Sequence, residues 1–223
     1  LCLKTYHAFS QCTQKYSWAS WSNFSGNSAT GTILVDGKTV KVTMSANYTF
    51  TFTSVIYGFT EFSRFAGYSF IPNSTTPRTN WAAGTGGKTT MCFSEPVTNP
   101  VLLISSLGGI LNNTKVILSF SDPYSTLYDG GGMTYLSNTS ISGYEGYAIL
   151  LFPGTFTCLT IYSNTPEEYT NINWGLQPPI FPVTISGDTK GCEQVTLTAS
   201  GGVKYDWNGG KNPTSATNTF EKS

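Results

Sequence analysis

Charge is what this sequence has least of. Asp, Glu, Lys and Arg make up 11% of its 223 residues, against about 25% in an ordinary soluble protein, and the 12 basic and 12 acidic residues cancel. The cations are scattered and form no basic stripe, which argues against nucleic acid and anionic membrane as partners, since both need clustered charge. Histidine occurs once, as His7, and no two of the five cysteines form a C-x-x-C pair. A zinc centre, or a Ser-His or Cys-His mechanism away from His7, therefore lacks its residues. The longest apolar run, Tyr147 to Phe152, falls far short of the ~20 residues of a membrane helix and reads as a buried strand. The chain opens on Leu1 with no charged segment leading into an apolar one, so any targeting segment is expected to have been removed or to lie outside these residues. Helix signals are nearly missing: the best stretch, Thr5 to Lys15, has no clean apolar stripe.

Ser, Thr, Asn and Gly stand where charge would be. Aromatics reach 14%, too many for a disordered chain, and the Thr/Tyr-rich composition is that of a sheet protein whose solvent face carries hydroxyls and amides. Ala29 to Val35, the turn Asp36-Gly37, and Lys38 to Met44 alternate with period 2 and predict a hairpin with a type I′ turn. Further strands are expected at Asn47–Ile56, Thr89–Phe93, Val101–Leu103, Lys115–Phe120, Gly146–Phe152, Thr155–Tyr162 and Asn171–Leu176. Turn residues separate them at Asn99-Pro100, Asn112-Asn113, Asp122-Pro123 and Asp129-Gly130-Gly131-Gly132. Many short strands at this spacing predict an all-β fold, a sandwich or barrel.

The proline-rich segment Gln177-Pro178-Pro179-Ile180-Phe181-Pro182 reads as a domain joint. It divides the chain into a jelly-roll-like β-sandwich (1–177) and a second unit (178–223) with strands at Val183–Ile185, Gln194–Ala199 and, after Gly201-Gly202, Val203–Trp207. Disulfides are the favoured reading of the cysteines and imply an extracellular location, with plain buried thiols as the alternative. Cys2 and Cys12 could close an N-terminal loop, Cys92 and Cys158 could join two strands, and Cys192 is left over. Cys192 and Trp207 stand 15 positions apart, about the separation between the strand-B Cys and strand-C Trp of an immunoglobulin-like sandwich. The partner of Cys192 is therefore expected beyond Ser223, and residues 178–223 are expected to be an incomplete Ig-like/PKD-like sandwich.

The run Gly191-Cys192-Glu193-Gln194-Val195-Thr196-Leu197-Thr198-Ala199-Ser200-Gly201-Gly202, followed by Tyr205-Asp206-Trp207-Asn208-Gly209-Gly210 and Thr219-Phe220-Glu221-Lys222-Ser223, resembles the PKD-like or Ig-like repeats of Bacteroidota secreted surface proteins. Phe93-Ser94-Glu95-Pro96-Val97-Thr98-Asn99-Pro100-Val101, Ser106-Leu107-Gly108-Gly109, Tyr144-Glu145-Gly146-Tyr147 and Phe152-Pro153-Gly154-Thr155-Phe156 are similar to modules of such proteins. The resemblance implies a large exported protein with tandem modules, of the type IX secretion and gliding-adhesin kind.

Candidate ligand residues are few. Tyr124 and Tyr128, with Asp122 and Asp129, lie in a turn-rich segment that combines flat rings for sugar stacking with acceptors for hydroxyls; the plainer reading is a structural loop. The same two aspartates are a weak alternative site for calcium, without a D-x-D-x-D-G loop to support it. Arg64, Arg78 and Trp81 lie in Glu61–Lys88, a stretch poor in strand signals and a possible binding loop, where the two arginines could grip an acidic sugar or carboxylate; surface solubility is the plainer role. Trp18, Trp21 and Trp174 are expected in the core or at its edge, where first and last strands of a jelly roll pair. Glu95, Glu145 and the adjacent Glu167-Glu168 offer no patterned pair for a glycosidase, and adjacent carboxylates usually mark a solvated surface. Asn23, Asn47, Asn73, Asn112 and Asn138 sit in N-x-S/T sequons, which matter only in a eukaryotic secretory route.

The expectation is a non-catalytic adhesion or glycan-binding module at a bacterial cell surface, with no cofactor, a glycan or surface ligand as partner, and neighbouring domains of the same chain beside it. An accessory module of a secreted glycoside hydrolase or protease, or a spacer in a surface filament, are the alternatives.

Overall fold

The structure, a computed structural model, describes residues 16–47, 78–81, 86–109, 114–177, 184–187, 194–200 and 206–221. These residues are all β, with no helix among them. The expected candidates at Thr5–Lys15, most of Asn47–Ile56, Arg64, Cys2, Cys12 and Cys192 lie outside the described residues. Two compact units divide at Pro178 and Pro179.

The larger unit holds β1 (Ser17–Trp18), β2 (Ser20–Ser25), β3 (Ser28–Val35), β4 (Lys38–Ala46), β5 (Arg78–Trp81), β6 (Gly87–Thr98), β7 (Val101–Leu107), β8 (Val116–Phe120), β9 (Ser125–Ser137), β10 (Ser140–Leu151), β11 (Thr155–Ser163) and β12 (Glu167–Leu176). All pair antiparallel in one sheet, in the order β1-β12-β7-β10-β8-β11-β6-β4-β3-β2, with β5 beside β12 and β9 beside β10. The β3–β4 hairpin follows the sequence expectation. Its turn residues Asp36 and Gly37 have φ of 49° and 73°, as a type I′ turn requires, and buried residues alternate with exposed ones along both strands.

The sheet folds back on itself at β10. Residues Ser140–Gly143 pair with β8, whereas Gly146–Leu151 pair with β7, so one strand passes from one layer of the sandwich to the other. The passage uses bulges. Ser106 in β7 and Glu145 in β10 have φ of 62° and 50°, conformations that cost side-chain-bearing residues about 1–3 kcal/mol each. Each shifts the inward-facing parity by one. Leu102 and Ile104 point inward before the first bulge and Leu107 after it; Ile141 points inward before the second, and Ala148 and Leu150 after it. Both halves of each strand thus keep their apolar residues in the core. Side chains replace the ladder bonds lost there. Ser106 Oγ donates to Glu145 Oε2 at 2.8 Å, Thr170 Oγ1 donates to the Ser106 carbonyl at 3.1 Å, and the Gly108 amide donates to Glu167 Oε2 at 2.6 Å. Glu167 is only 4% exposed. The expectation of a solvated Glu167-Glu168 pair is corrected for Glu167, whose carboxylate is a buried fastener of this corner.

The Asp129–Gly132 stretch also departs from expectation. It is no turn but the middle of β9, where Gly131 and Gly132 (φ 91° and 75°) follow the bend of β10. A side chain at Gly132 would run into the Tyr144 and Glu145 carbonyls.

One core joins the layers. Trp174, fully buried, lies 5.7 Å from Phe152 and meets Phe93 edge-on at 6.4 Å. A smaller cluster on the other side of β7 and β10 gathers Tyr16, Val101, Leu103, Tyr147 and Ile149, which explains why these two strands read as unbroken apolar runs.

The ends of the sheet are joined by one short segment. Ser17 and Trp18 pair with Leu176 and Gly175 of β12; Ser20 and Trp21 pair with Thr32 and Gly31 of β3. Between them, the Ala19 amide donates to the Trp174 carbonyl at 2.8 Å. Asn173, fully buried, holds this crossing: its amide donates to the Ala19 carbonyl at 3.2 Å, and its Oδ1 accepts from Trp21 Nε1 at 3.1 Å. First and last strands do pair, as expected, and Trp21 and Trp174 lie in the core. Gly31 lies where β2 presses on β3, and a side chain there would strike the Ser20 backbone.

The smaller unit contains β13 (Thr184–Ser186), β14 (Gln194–Ser200) and β15 (Thr217–Glu221) in that order. Its Trp207 was expected on a strand but belongs to a bent segment. The buried Asn218 shapes that segment by donating to the Gly209 carbonyl and accepting from the Asn212 amide, both at 2.7 Å. Trp207 packs edge-on against Phe220 and donates to the Ser215 carbonyl. Lys211 pairs with Glu221.

Replacing Asn173 by Ala strands the Trp21 N–H away from water. A loss of about 1–3 kcal/mol is expected, read by urea unfolding of the whole chain; a change within 0.5 kcal/mol, about the scatter of neutral surface substitutions, would show that the closure does not depend on this residue.

Candidate functional site

The residues singled out from sequence do not form one platform. Tyr124 is buried at 8% exposure. Its ring packs edge-on against Phe120 at 5.4 Å and against Phe152 at 6.4 Å, and its hydroxyl donates toward the Ser137 and Ser140 carbonyls at 2.8 and 3.1 Å. It closes one end of the core and offers no face for stacking. Tyr128 is half-buried against the smaller apolar cluster. The Asp122 carboxylate accepts from Ser121 Oγ at 2.6 Å, and Asp129 Oδ1 accepts from the Gly131 amide at 2.8 Å. No group of three potential metal-ligating side chains occurs among the described residues. Arg78–Trp81 is not a loop but strand β5, with Arg78 in register with Asn171 and Trp81 with Glu167 of β12. Glu95 pairs with Lys38 at 2.6 Å, and Glu145 serves the corner.

Tyr135, not considered from sequence, is the residue Asp129 engages. It is 36% exposed. Burial pushes its hydroxyl up to about 12, the Asp129 carboxylate adds to the rise, and a hydrogen bond with Thr126 opposes it. Burial raises Tyr124 too. The bend of β9 brings these groups together, a tertiary consequence that strand alternation does not carry.

An accessible surface is formed by the outward side of β3, β4, β6 and β11. Alternation turns one residue in two to solvent, and registry aligns those residues in rows across the strands. One row runs Ser28, Ser45, Thr90, Thr160, and the next runs Thr30, Thr43, Cys92, Cys158. Thr90 and Thr160 share a hydrogen bond at 3.1 Å, and Thr98 and Thr155 share one at 3.3 Å. Beyond the first row, Tyr162, 40% exposed, stands in register between Lys88 of β6 and Ser119 of β8. The four strands carry three lysines, Lys38, Lys41 and Lys88, and one carboxylate, Glu95, already paired with Lys38.

Cys92 and Cys158 are bonded in the middle of this surface, at a Cα separation of 4.1 Å and a sequence separation of 66. The sequence expectation of this pair holds. The link lies on the solvent side of directly opposed strands, Cys92 half-buried and Cys158 exposed, and therefore pins registry rather than filling the core.

Two measurements check these features. Reducing the disulfide should lower unfolding stability by about 4 kcal/mol on the chain-entropy estimate for a loop of this length, with the Cys92–Cys158 peptide present in a non-reducing map; recovery of both as free thiols contradicts the link. For Tyr135, a folded-state pKa above the ordinary tyrosine value means that the folded state keeps a proton the unfolded chain gives up. Its contribution is whole below pH 10, the unfolded value, and is lost as pH rises through about 12. Phenolate absorbance should show a late-titrating tyrosine missing in Tyr135→Phe, and the variant should lose less stability across that window.

No family model, curated protein or solved structure matches the chain.

Proposed function

We propose that the large unit is a non-catalytic, extracellular adhesion or glycan-binding module of a bacterial surface protein. The observation that carries this reading is the outward side of β3, β4, β6 and β11. It is an accessible surface of aligned serine and threonine hydroxyls, with one exposed tyrosine ring and no carboxylate outside the Lys38–Glu95 pair. Hydroxyls that both donate and accept match the hydroxyls of sugars, and an aromatic face takes the apolar side of a sugar ring. Anchoring these groups on paired strands holds them in place before a ligand arrives, which reduces the ordering cost of binding. The disulfide supports the extracellular placement, because such links persist in oxidising surroundings.

The test is retention of the intact chain on immobilised polysaccharides and an array of neutral and acidic glycans, with a parallel assay for released reducing ends. Binding to at least one glycan without chain cleavage is the expected result. Retention on none removes the glycan-binding reading, and cleavage removes the non-catalytic one.

A further inference from the structure

The outward surface is one-sided in charge as well as rich in hydroxyls. Within β3, β4, β6 and β11 the only carboxylate is neutralised by Lys38, leaving Lys41 and Lys88. Among the described residues neither has a carboxylate within ion-pair distance. They flank the two hydroxyl rows, one on each side along the strand direction. Lys88 is in register with Tyr162, and Lys41 is in register with Thr32, one strand step beyond the Thr30–Thr43–Cys92–Cys158 row. With strands about 4.8 Å apart and same-side residues about 6.7 Å apart along each strand, the rows span about 14 Å across and the lysines lie about 20 Å apart along the strands.

We infer that this surface binds an acidic polysaccharide, a chain of uronate-bearing sugars lying along the strands. The inference rests on the glycan-binding reading and names its ligand class and place. Carboxylates of the ligand meet Lys88 and Lys41, with no protein carboxylate left unpaired on these strands to repel them. Sugar hydroxyls meet Ser45, Thr43, Thr90 and Thr160, and one ring rests on Tyr162 beside Lys88. Two lysines this far apart do not make the dense cationic track that a nucleic-acid backbone requires, whereas uronates spaced along a polyhydroxyl chain suit both features. The Cys92–Cys158 bond fixes the spacing of β6 and β11 at the centre of the surface.

The experiment is binding of the intact chain to polygalacturonate and alginate, with dextran and cello-oligosaccharides as neutral probes, at low and high sodium chloride. Binding to a polyuronate that weakens with salt is expected. Tyr162→Ala should weaken it about three- to tenfold, and Lys88→Gln and Lys41→Gln about two- to fivefold each. Tyr128→Ala should leave it unchanged. All these side chains but Tyr128 are exposed, and unfolding curves for each variant separate lost binding from lost fold. Preference for the neutral probes, or acidic binding untouched by the three face variants, overturns the inference and leaves glycan binding standing. Failure to bind any of the four probes overturns the inference; failure on the full array as well overturns the reading beneath it.

Discussion

Asn173 grips the crossing segment Ala19–Trp21 with both ends of its amide, at the place where the two ends of the larger unit's sheet meet. A sheet of this length left open would present two unpaired edges, each a template for association with another chain. The closing segment is short and pairs with β12 through only two residues before it turns to β3. The Ala19 amide adds one backbone bond to the Trp174 carbonyl. A fully buried amide supplies a further donor and acceptor without bringing in a charge, which this sequence avoids nearly everywhere. Elsewhere paired hydroxyls do similar work: Thr90 with Thr160, Thr98 with Thr155, and in the smaller unit Thr196 with Thr219 and Thr198 with Thr217.

The second constraint is the corner. A continuous strand can serve two layers only if its side-chain alternation is reset where it bends, and Ser106 and Glu145 do this at the expense of an unfavourable backbone conformation. The corner also absorbs polar groups that would otherwise suit a reactive site. Glu145 and Glu167 are each turned onto a backbone or hydroxyl donor nearby. Both carboxylates are thus used for architecture.

How much of this was legible in the sequence follows from how local each feature is. The β3–β4 hairpin is written in a period of two and an Asp-Gly turn, and it was read correctly down to its turn type. The Cys92–Cys158 link followed from placing both residues on strands. The long bulged hairpin of β9 and β10 was not legible, because glycines that break a strand and glycines that let it bend look alike in sequence. Tyr124 was read as a loop residue; its burial is set by Phe120, Phe152 and two carbonyls of the next hairpin. Glu167 beside Glu168 looked like solvated surface, and only the approach of Gly108, 59 positions away, makes it a buried acceptor. Trp207 does not lie on the expected strand, because Asn218 holds the surrounding segment in a bend. The hydroxyl rows needed registry between four strands, which no single strand contains.

The pairing of β1 with β12 determines how the larger unit would respond to mechanical load. Ser17 lies opposite Leu176 and Trp18 opposite Gly175, so tension applied to the flanking chain on both sides draws the two strands apart like a zipper, loading their bonds one after another instead of all together. The first element to peel would be the closing segment, with Asn173 as the point of resistance. Further unravelling meets the covalent link: the 66-position span from Cys92 to Cys158, at about 3.4 Å per extended residue, withholds on the order of 220 Å of contour length from extension. The unit is thereby built to yield early at its seam and to stop lengthening well short of a fully extended chain.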